Sequence, residues 1–159
     1  MIRVINNFNL NDVFASIKYL LQVSSVDENI RRHALEITAG KEPIPAIFDW
    51  VRENVKYVPD PVEQSGSIIE LFISPVRMLS DFQKGQVAAG DCDDHALLNV
   101  ALLRSLGIES KVILIDQEGN GYNHALAVAK TQDGELWVDT TSPKPLGWVD
   151  HYVRRLDIE

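Results

Sequence analysis

The chain contains a single cysteine, Cys92, whose surroundings are suited to nucleophilic chemistry. It stands in the segment Gly90-Asp-Cys-Asp-Asp-His95, where a long apolar helix is predicted to begin. A cysteine attacks carbonyl groups as the thiolate, and the free N–H groups at a helix N-terminus stabilise that anion and the oxyanion formed by its attack. The neighbouring aspartates oppose the anion, so a nearby imidazolium would have to supply most of the activation.

Two histidines could serve Cys92 as the base. His95 follows it by three residues on the same helix, whereas His124 begins a predicted strand farther along the chain. A base of this kind needs a third group that fixes its tautomer and its orientation. The sequence offers no comparable partner for His95, so the choice depends on what lies beside His124.

A predicted hairpin supplies His124 with a carboxylate. The turn Thr131-Gln-Asp-Gly134 sets the two strands in a register that places His124 opposite Thr141. Asp139 is two residues from that position, so it lies on the same face as a diagonal neighbour, about 7–8 Å away and within side-chain reach. The residues Cys92, His124 and Asp139 are therefore predicted to be nucleophile, base and orienting acid.

Simpler interpretations of the same residues stay open at this point. A lone cysteine is more often a small buried hydrophobic residue than a nucleophile. The acidic turn around Cys92 could be a helix cap with a solvated first turn, or a weak metal site. His124 alone could be structural, and Asp139 alone could cap a strand. The three residues in this order favour the thiol site, and we predict neither a metal nor a cofactor.

Composition narrows the class of protein. A chain of 159 residues is long enough for one compact domain with a substantial core. A single cysteine excludes an intramolecular disulfide and a Cys₂His₂-type zinc site. The net charge of −8 disfavours nucleic acid and anionic membranes as partners. With neither a signal-peptide pattern nor a long apolar run, we expect a cytoplasmic protein.

Helical periodicity dominates the first half of the chain and strand patterns dominate the second half. Helices are predicted over 11–24, 27–39, from Pro45 onwards, for a turn or two from Ser74, and over 94–106. Strands are predicted over 56–58, 111–116, 124–130 and 136–140. Residues 68–73 could be helix or strand, and 64–67 and 81–90 are expected to be loops. A Pro/Gly-rich tail over 142–148 and a polar C-terminus are expected to follow. This order predicts an α+β fold in a single domain.

Several of these segments resemble the core domain of the transglutaminase-like superfamily. The resemblance covers about residues 45–148, and residues 1–44 would form a helical N-terminal extension. Short stand-alone members encoded in bacteriophages and prophages look most similar. The matching segments are Ile47–Pro59, Ser74–Leu79, Gly90–Leu98, Leu102–Ile108, Tyr122–His124 and Asp139–Trp148, with Leu136-Trp-Val leading into the last.

The resemblance implies a papain-like fold, in which a central helix carrying Cys92 packs on an antiparallel sheet carrying His124 and Asp139. It implies acyl transfer through a thioester, with water as acceptor in a protease or amidase and an amine as acceptor in a transglutaminase. Gln86 lies six residues before Cys92, the interval of the oxyanion-hole glutamine in papain-like proteases, although a surface glutamine is the simpler interpretation.

We therefore expect hydrolysis of a peptide or isopeptide amide ahead of protein crosslinking, with a protein or peptide as substrate. Phage structural proteins are further candidate partners, and the virion is an alternative location. A protein of another class, a non-catalytic phage component used in assembly or binding, would keep the same core and would need no reactive sulfur.

Overall fold

The computed structural model describes residues 2–5, 9–61 and 70–159. Its helices are α1 (Leu10–Ser24), α2 (Glu28–Thr38), α3 (Pro43–Asn54), α4 (Pro75–Gln83) and α5 (Cys92–Ser105). Its strands are β1 (Ile2–Ile5), β2 (Val55–Tyr57), β3 (Glu70–Ile73), β4 (Ala88–Gly90), β5 (Ser110–Asp116), β6 (His124–Thr131), β7 (Gly134–Val138) and β8 (Arg154–Ile158). The order of helices followed by an antiparallel sheet confirms the predicted α+β class.

The main sheet has four antiparallel strands in the order β7-β6-β5-β8. Its hairpin has the register that the predicted turn requires, since Lys130 pairs with Glu135 and Ala127 with Val138. β6, which begins at His124, is a central strand and contacts α5 across the core. The sheet therefore places its catalytic candidates at one end of strands that pack against the cysteine-bearing helix.

α5 lies at the centre of the domain. All of its residues from Asp93 to Leu103 are buried, and α1, α2, α3 and α4 pack around it on the side away from the sheet. A helix that is apolar nearly all round can bury its apolar surface only when other elements pack against it on every side. The central, buried helix predicted from the sequence is confirmed.

The start of α5 is set by two aspartates. Asp91 is the N-cap, and its side chain and that of Asp94 form a reciprocal capping box with each other's backbone N–H groups. Asp94 also accepts a hydrogen bond of 2.7 Å from the backbone N–H of Ile73. The position of Asp94 requires glycine at residue 90, because a Cβ there would lie 2.6 Å from the Asp94 carboxylate and would collide with it. Cys92 is consequently held at the first position of the helix.

Several elements differ from the sequence-based expectations. The polar C-terminus contains a strand that the sequence patterns did not predict, because Arg154–Ile158 forms β8 on the edge of the main sheet. The charged residues of β8 interrupt the alternation of apolar and polar side chains by which a strand is predicted. They form ion pairs such as that between Arg154 and the buried Asp116. The expected loop over 81–90 contains the end of α4 and also β4, which pairs in parallel with β2.

The ambiguous segment 68–73 contains strand β3, which pairs with β1, a strand that the sequence patterns did not predict. Residues 68–69 of that segment and the loop expected over 64–67 lie outside the described residues. In the described part of the chain, no helix combines the length and the apolarity needed to cross a bilayer. The cytoplasmic location stays a prediction.

Candidate active site

A cavity of about 350 Å³ opens where α5 and β6 begin. Cys92 and His124 both line it, and Cys92 is half-buried there. The remaining wall is formed partly by apolar and aromatic side chains and partly by four acidic residues. The structure therefore places the sulfur and the imidazole in one accessible space.

Asp139 lies directly behind His124. The two side chains are joined by a 2.7 Å hydrogen bond between Nε2 and Oδ2, and only 17% and 10% of their surfaces are exposed. Thr141 donates to the other carboxylate oxygen from its backbone N–H and from its hydroxyl, at 3.0 and 2.7 Å. Burial favours the neutral acid, but these hydrogen bonds and the charge of His124 outweigh it and lower the pKa of Asp139.

His124 is held in its charged form. Burial alone would lower the pKa of His124, but the hydrogen bond to Asp139 and the contact with Cys92 outweigh it and raise that pKa to about 10. Because Asp139 occupies Nε2, the nitrogen available to the sulfur is Nδ1. An imidazolium facing a cysteine is the arrangement that stabilises a thiolate.

His95, the rival base, has a different environment. It is 2% exposed, and its Nδ1 lies 2.9 Å from the hydroxyl of Thr140, which also accepts a 2.9 Å hydrogen bond from Asn99. Burial lowers the pKa of His95. These contacts connect α5 to the residue that follows Asp139, so His95 supports the position of the acid from within the core.

Asp150 is a further acid at this site that the sequence patterns did not single out. One of its carboxylate oxygens lies within 4.8 Å of both His124 and Asp139. The indole N–H of Trp148 donates to Asp150 over 3.1 Å. Asp150 lies in a segment without regular secondary structure, so no periodic pattern in the sequence marks it.

Gln86 is not brought to this cavity. Gln86 is exposed, and its backbone N–H donates to the carbonyl of Asp81. It is not one of the described residues that line the cavity. A group that could hold an oxyanion is the backbone N–H of Cys92 at the start of α5, because N–H groups in the first turn of a helix have no partner within the helix.

Tyr57 is a second residue that the sequence analysis passed over. The sequence predicts only that Tyr57 lies in a short extended segment, whereas the structure places it in the wall of the cavity. Burial, followed by the charges of Cys92 and Asp91, raises the pKa of its hydroxyl. Tyr57 is therefore a polar residue in the same cavity as Cys92.

Three groups of side chains in the described residues are close enough to share a cation: His124 with Asp139 and Asp150, Asp60 with Glu70 and Asp91, and Asp91 with Asp93 and Asp94. In the first group, the direct hydrogen bond between His124 and Asp139 occupies the atoms that would bind an ion. The third group includes the capping box of α5. The expectation that the protein uses no metal stays a prediction.

Residues 27–151 match the sequence family described as the transglutaminase-like superfamily. The chain belongs to this superfamily. The family resemblance drawn from its motifs is thereby confirmed, and the match includes Cys92, His124, Asp139 and Asp150. Nothing in the match concerns bacteriophages, so the phage setting stays a prediction. The division of the domain into a 1–44 extension and a 45–148 core also stays a prediction.

Solved structures of two bacterial proteins share the fold. One, from Cytophaga hutchinsonii and provisionally described as a cysteine protease, is 20% identical over 97% of this chain and 53% of its own, with a TM-score of 0.57. Another, from Parabacteroides distasonis and provisionally described as a protease, is 17% identical over 83% of this chain and 26% of its own, with a TM-score of 0.54.

The chain therefore spans about half of the first of these proteins and about a quarter of the second. No curated relative matches it significantly. Together, the family match and the structural neighbours confirm the expected papain-like, transglutaminase-like fold.

Proposed function

We propose that this protein is a thiol-dependent acyl-transfer enzyme that hydrolyses amide bonds of a peptide or protein. The observation that carries the proposal is the position of His124, which bonds to Asp139 through one nitrogen and faces Cys92 in an open cavity. A thiol, an imidazole and a carboxylate in this order form a nucleophile, its base and the group that orients the base.

In the first half of the reaction, the Cys92 thiolate attacks the carbonyl carbon of the amide and forms a carbon–sulfur bond. The negative charge moves to the carbonyl oxygen, where the backbone N–H of Cys92 at the start of α5 is placed to stabilise it. The carbon–nitrogen bond then breaks, and the His124 imidazolium gives its proton to the leaving amine. The products are a thioester on Cys92, a free amine and a neutral imidazole.

In the second half, the neutral imidazole of His124 removes a proton from water, and the resulting hydroxide attacks the thioester. The carbon–sulfur bond breaks, a carboxylic acid leaves, and the imidazolium–thiolate pair is restored. Asp139 does not exchange a proton in either half; it holds Nε2 and stabilises the imidazolium. Attack by an amine in place of water would transfer the acyl group instead and would make the protein a crosslinking enzyme.

Trapping of the acyl-enzyme tests this proposal. The protein is mixed with a peptide library, quenched in acid and examined by intact-mass spectrometry, with Cys92→Ala as the matched control. We expect mass additions that map to Cys92, disappear in the control and decay in water to free acids. The same reaction run with a primary amine measures the share of transamidation. Absence of adducts across a diverse library would contradict the proposal.

A further inference from the structure

Arg52, in the last turn of α3, joins that helix to the segment that follows β7. Its Nη2 donates to the backbone carbonyl of Ser142, over 2.9 Å, and to that of Lys144. Its guanidinium also lies over the ring of Phe48, 4.1 Å from the ring centroid. Stacking on an aromatic ring fixes the plane of a guanidinium, so its N–H groups point in defined directions. Arg52 therefore holds two carbonyls of one segment from a fixed position on α3.

The segment over 139–153 contains no helix or strand, and it carries both acids that lie near His124, Asp139 and Asp150. Its backbone lacks the ladder of hydrogen bonds that holds a strand in place, so contacts from other elements must fix its path. Two side chains of α5 fix it at Thr140 through hydrogen bonds to the hydroxyl. The residues that follow are fixed from α3.

The anchored carbonyl of Ser142 comes one residue after the donors to Asp139. Thr141 donates to Oδ1 of Asp139 from its backbone N–H and from its hydroxyl, at 3.0 and 2.7 Å. Oδ2 of the same carboxylate bonds to Nε2 of His124. Thr141 is thus flanked by two anchored residues, Thr140 held from α5 and Ser142 held from α3. Its two donors stay on the carboxylate only while the backbone on both sides keeps its course.

The anchored carbonyl of Lys144 leads to the second acid. The Lys144 ammonium lies over the ring of Trp148, 4.6 Å from its centroid, and the indole N–H of Trp148 donates to Asp150 over 3.1 Å. Lys144 and Trp148 are both exposed, and exposed contacts of this kind contribute little each. The connection through Ser142 to Asp139 is therefore the stronger of the two.

We propose that Arg52 is a positioning residue of the active site, which holds the segment after β7 so that the Asp139 carboxylate keeps its orientation towards His124. Arg52 acts through the backbone carbonyls that it binds, and not through contact with a reacting atom. Because α3 packs against α5, the same contacts fix the segment relative to the helix that carries Cys92. The inference deepens the proposed function, on which it rests for the role of Asp139.

Alkylation of Cys92 by iodoacetamide at pH 6 tests the inference, because it needs no substrate. Arg52→Met keeps the stem over Phe48 but removes the donors, and we expect the rate to fall at least ~3-fold. The pKa of His124, about 10 in the folded protein, should fall as well when followed by NMR titration of the ring. Arg52→Lys, which keeps the charge and one donor group, should lie between Arg52→Met and wild type. Arg31→Met, exposed on α2, should match wild type in both measurements.

A folded Arg52→Met variant with the alkylation rate and the His124 pKa of wild type would overturn the inference and leave the arginine a role in the fold alone. Unfolding midpoints are measured for all variants, and if Arg52→Met does not fold, wild-type values in Arg52→Lys overturn the inference in the same way. The expected changes in a protein that forms no acyl-enzyme with any peptide would support the positioning role while contradicting the proposed function.

Discussion

The imidazole of His95 bonds to the hydroxyl of Thr140, the residue that follows Asp139, with 2.9 Å between the two atoms. Asn99, one turn later on α5, donates to the same hydroxyl. The helix that carries Cys92 is thus joined to the end of the strand that delivers Asp139. The histidine nearest to the cysteine in sequence acts on the site through this connection.

Replacing Thr140 by valine should weaken the fold at this point. The substitution keeps the shape of the side chain but leaves His95 and Asn99 buried without their shared partner. We expect a loss of about 2 kcal/mol in the free energy of unfolding, measured by urea denaturation. Thr131→Val, which removes an exposed hydroxyl at the hairpin turn, should cost less than about 0.5 kcal/mol. Equal effects of the two variants would show that the buried connection contributes nothing.

Asp139→Asn should destabilise the protein in a pH-dependent way. The pKa of His124 is raised from 6.5 to about 10 in the folded state, so its contribution to stability is fully present below pH 6.5 and is lost as the pH rises through 10. The pKa of Asp139 is lowered, so its contribution is present above its unfolded value near 3.8 and is lost as the pH falls through its folded value.

The difference in stability between wild type and Asp139→Asn should therefore be largest between about pH 4 and 6.5, at about 2 kcal/mol, and should shrink towards pH 10 and above. Urea denaturation at pH 6 and pH 10.5 measures it. Asp133→Asn, at the exposed hairpin turn, serves as the matched control and should show no such trend. A difference that grows with pH would mean that the ion pair does not form.

Asp150→Asn should affect the imidazole of His124 more weakly than Asp139→Asn does. Its carboxylate lies near both His124 and Asp139 but is not hydrogen-bonded to the ring in the manner of Asp139. We expect the alkylation rate of Cys92 at pH 6 to fall about 2- to 5-fold, less than in Asp139→Asn, because one of two stabilising charges is lost. A rate equal to that of wild type would show that Asp150 lies near the site without influencing it.

The hairpin and the triad candidates were predictable because their geometry is local. The turn over 131–134 sets the register of β6 and β7, and the two strands carried on in that register bring Asp139 to His124. Cys92 was predictable because capping residues mark the start of α5. In each case a pattern of a few neighbouring residues determines the arrangement.

Asp60, Glu70 and Asp150 could not be found in this way. Each comes from the edge of a short strand or from an irregular loop, and only tertiary packing brings it to the cavity. β8 was missed for a related reason, since its charged side chains form ion pairs with residues of β5 and β7 and mask the alternation of apolar and polar residues that marks a strand. Non-local partners of this kind leave no periodic signal in the sequence.

The central claim is that the His124 imidazole activates the sulfur of Cys92 for attack. It is tested most directly by the rate at which iodoacetamide alkylates Cys92 between pH 5 and pH 10, in wild type, His124→Gln and the exposed-site control His151→Gln. An unassisted thiol with a pKa of about 8.5 is only ~0.3% ionised at pH 6. We predict that wild type and His151→Gln react at least ~10-fold faster than His124→Gln at pH 6 and converge with it near pH 10. Equal rates in all three proteins at pH 6 would contradict the account.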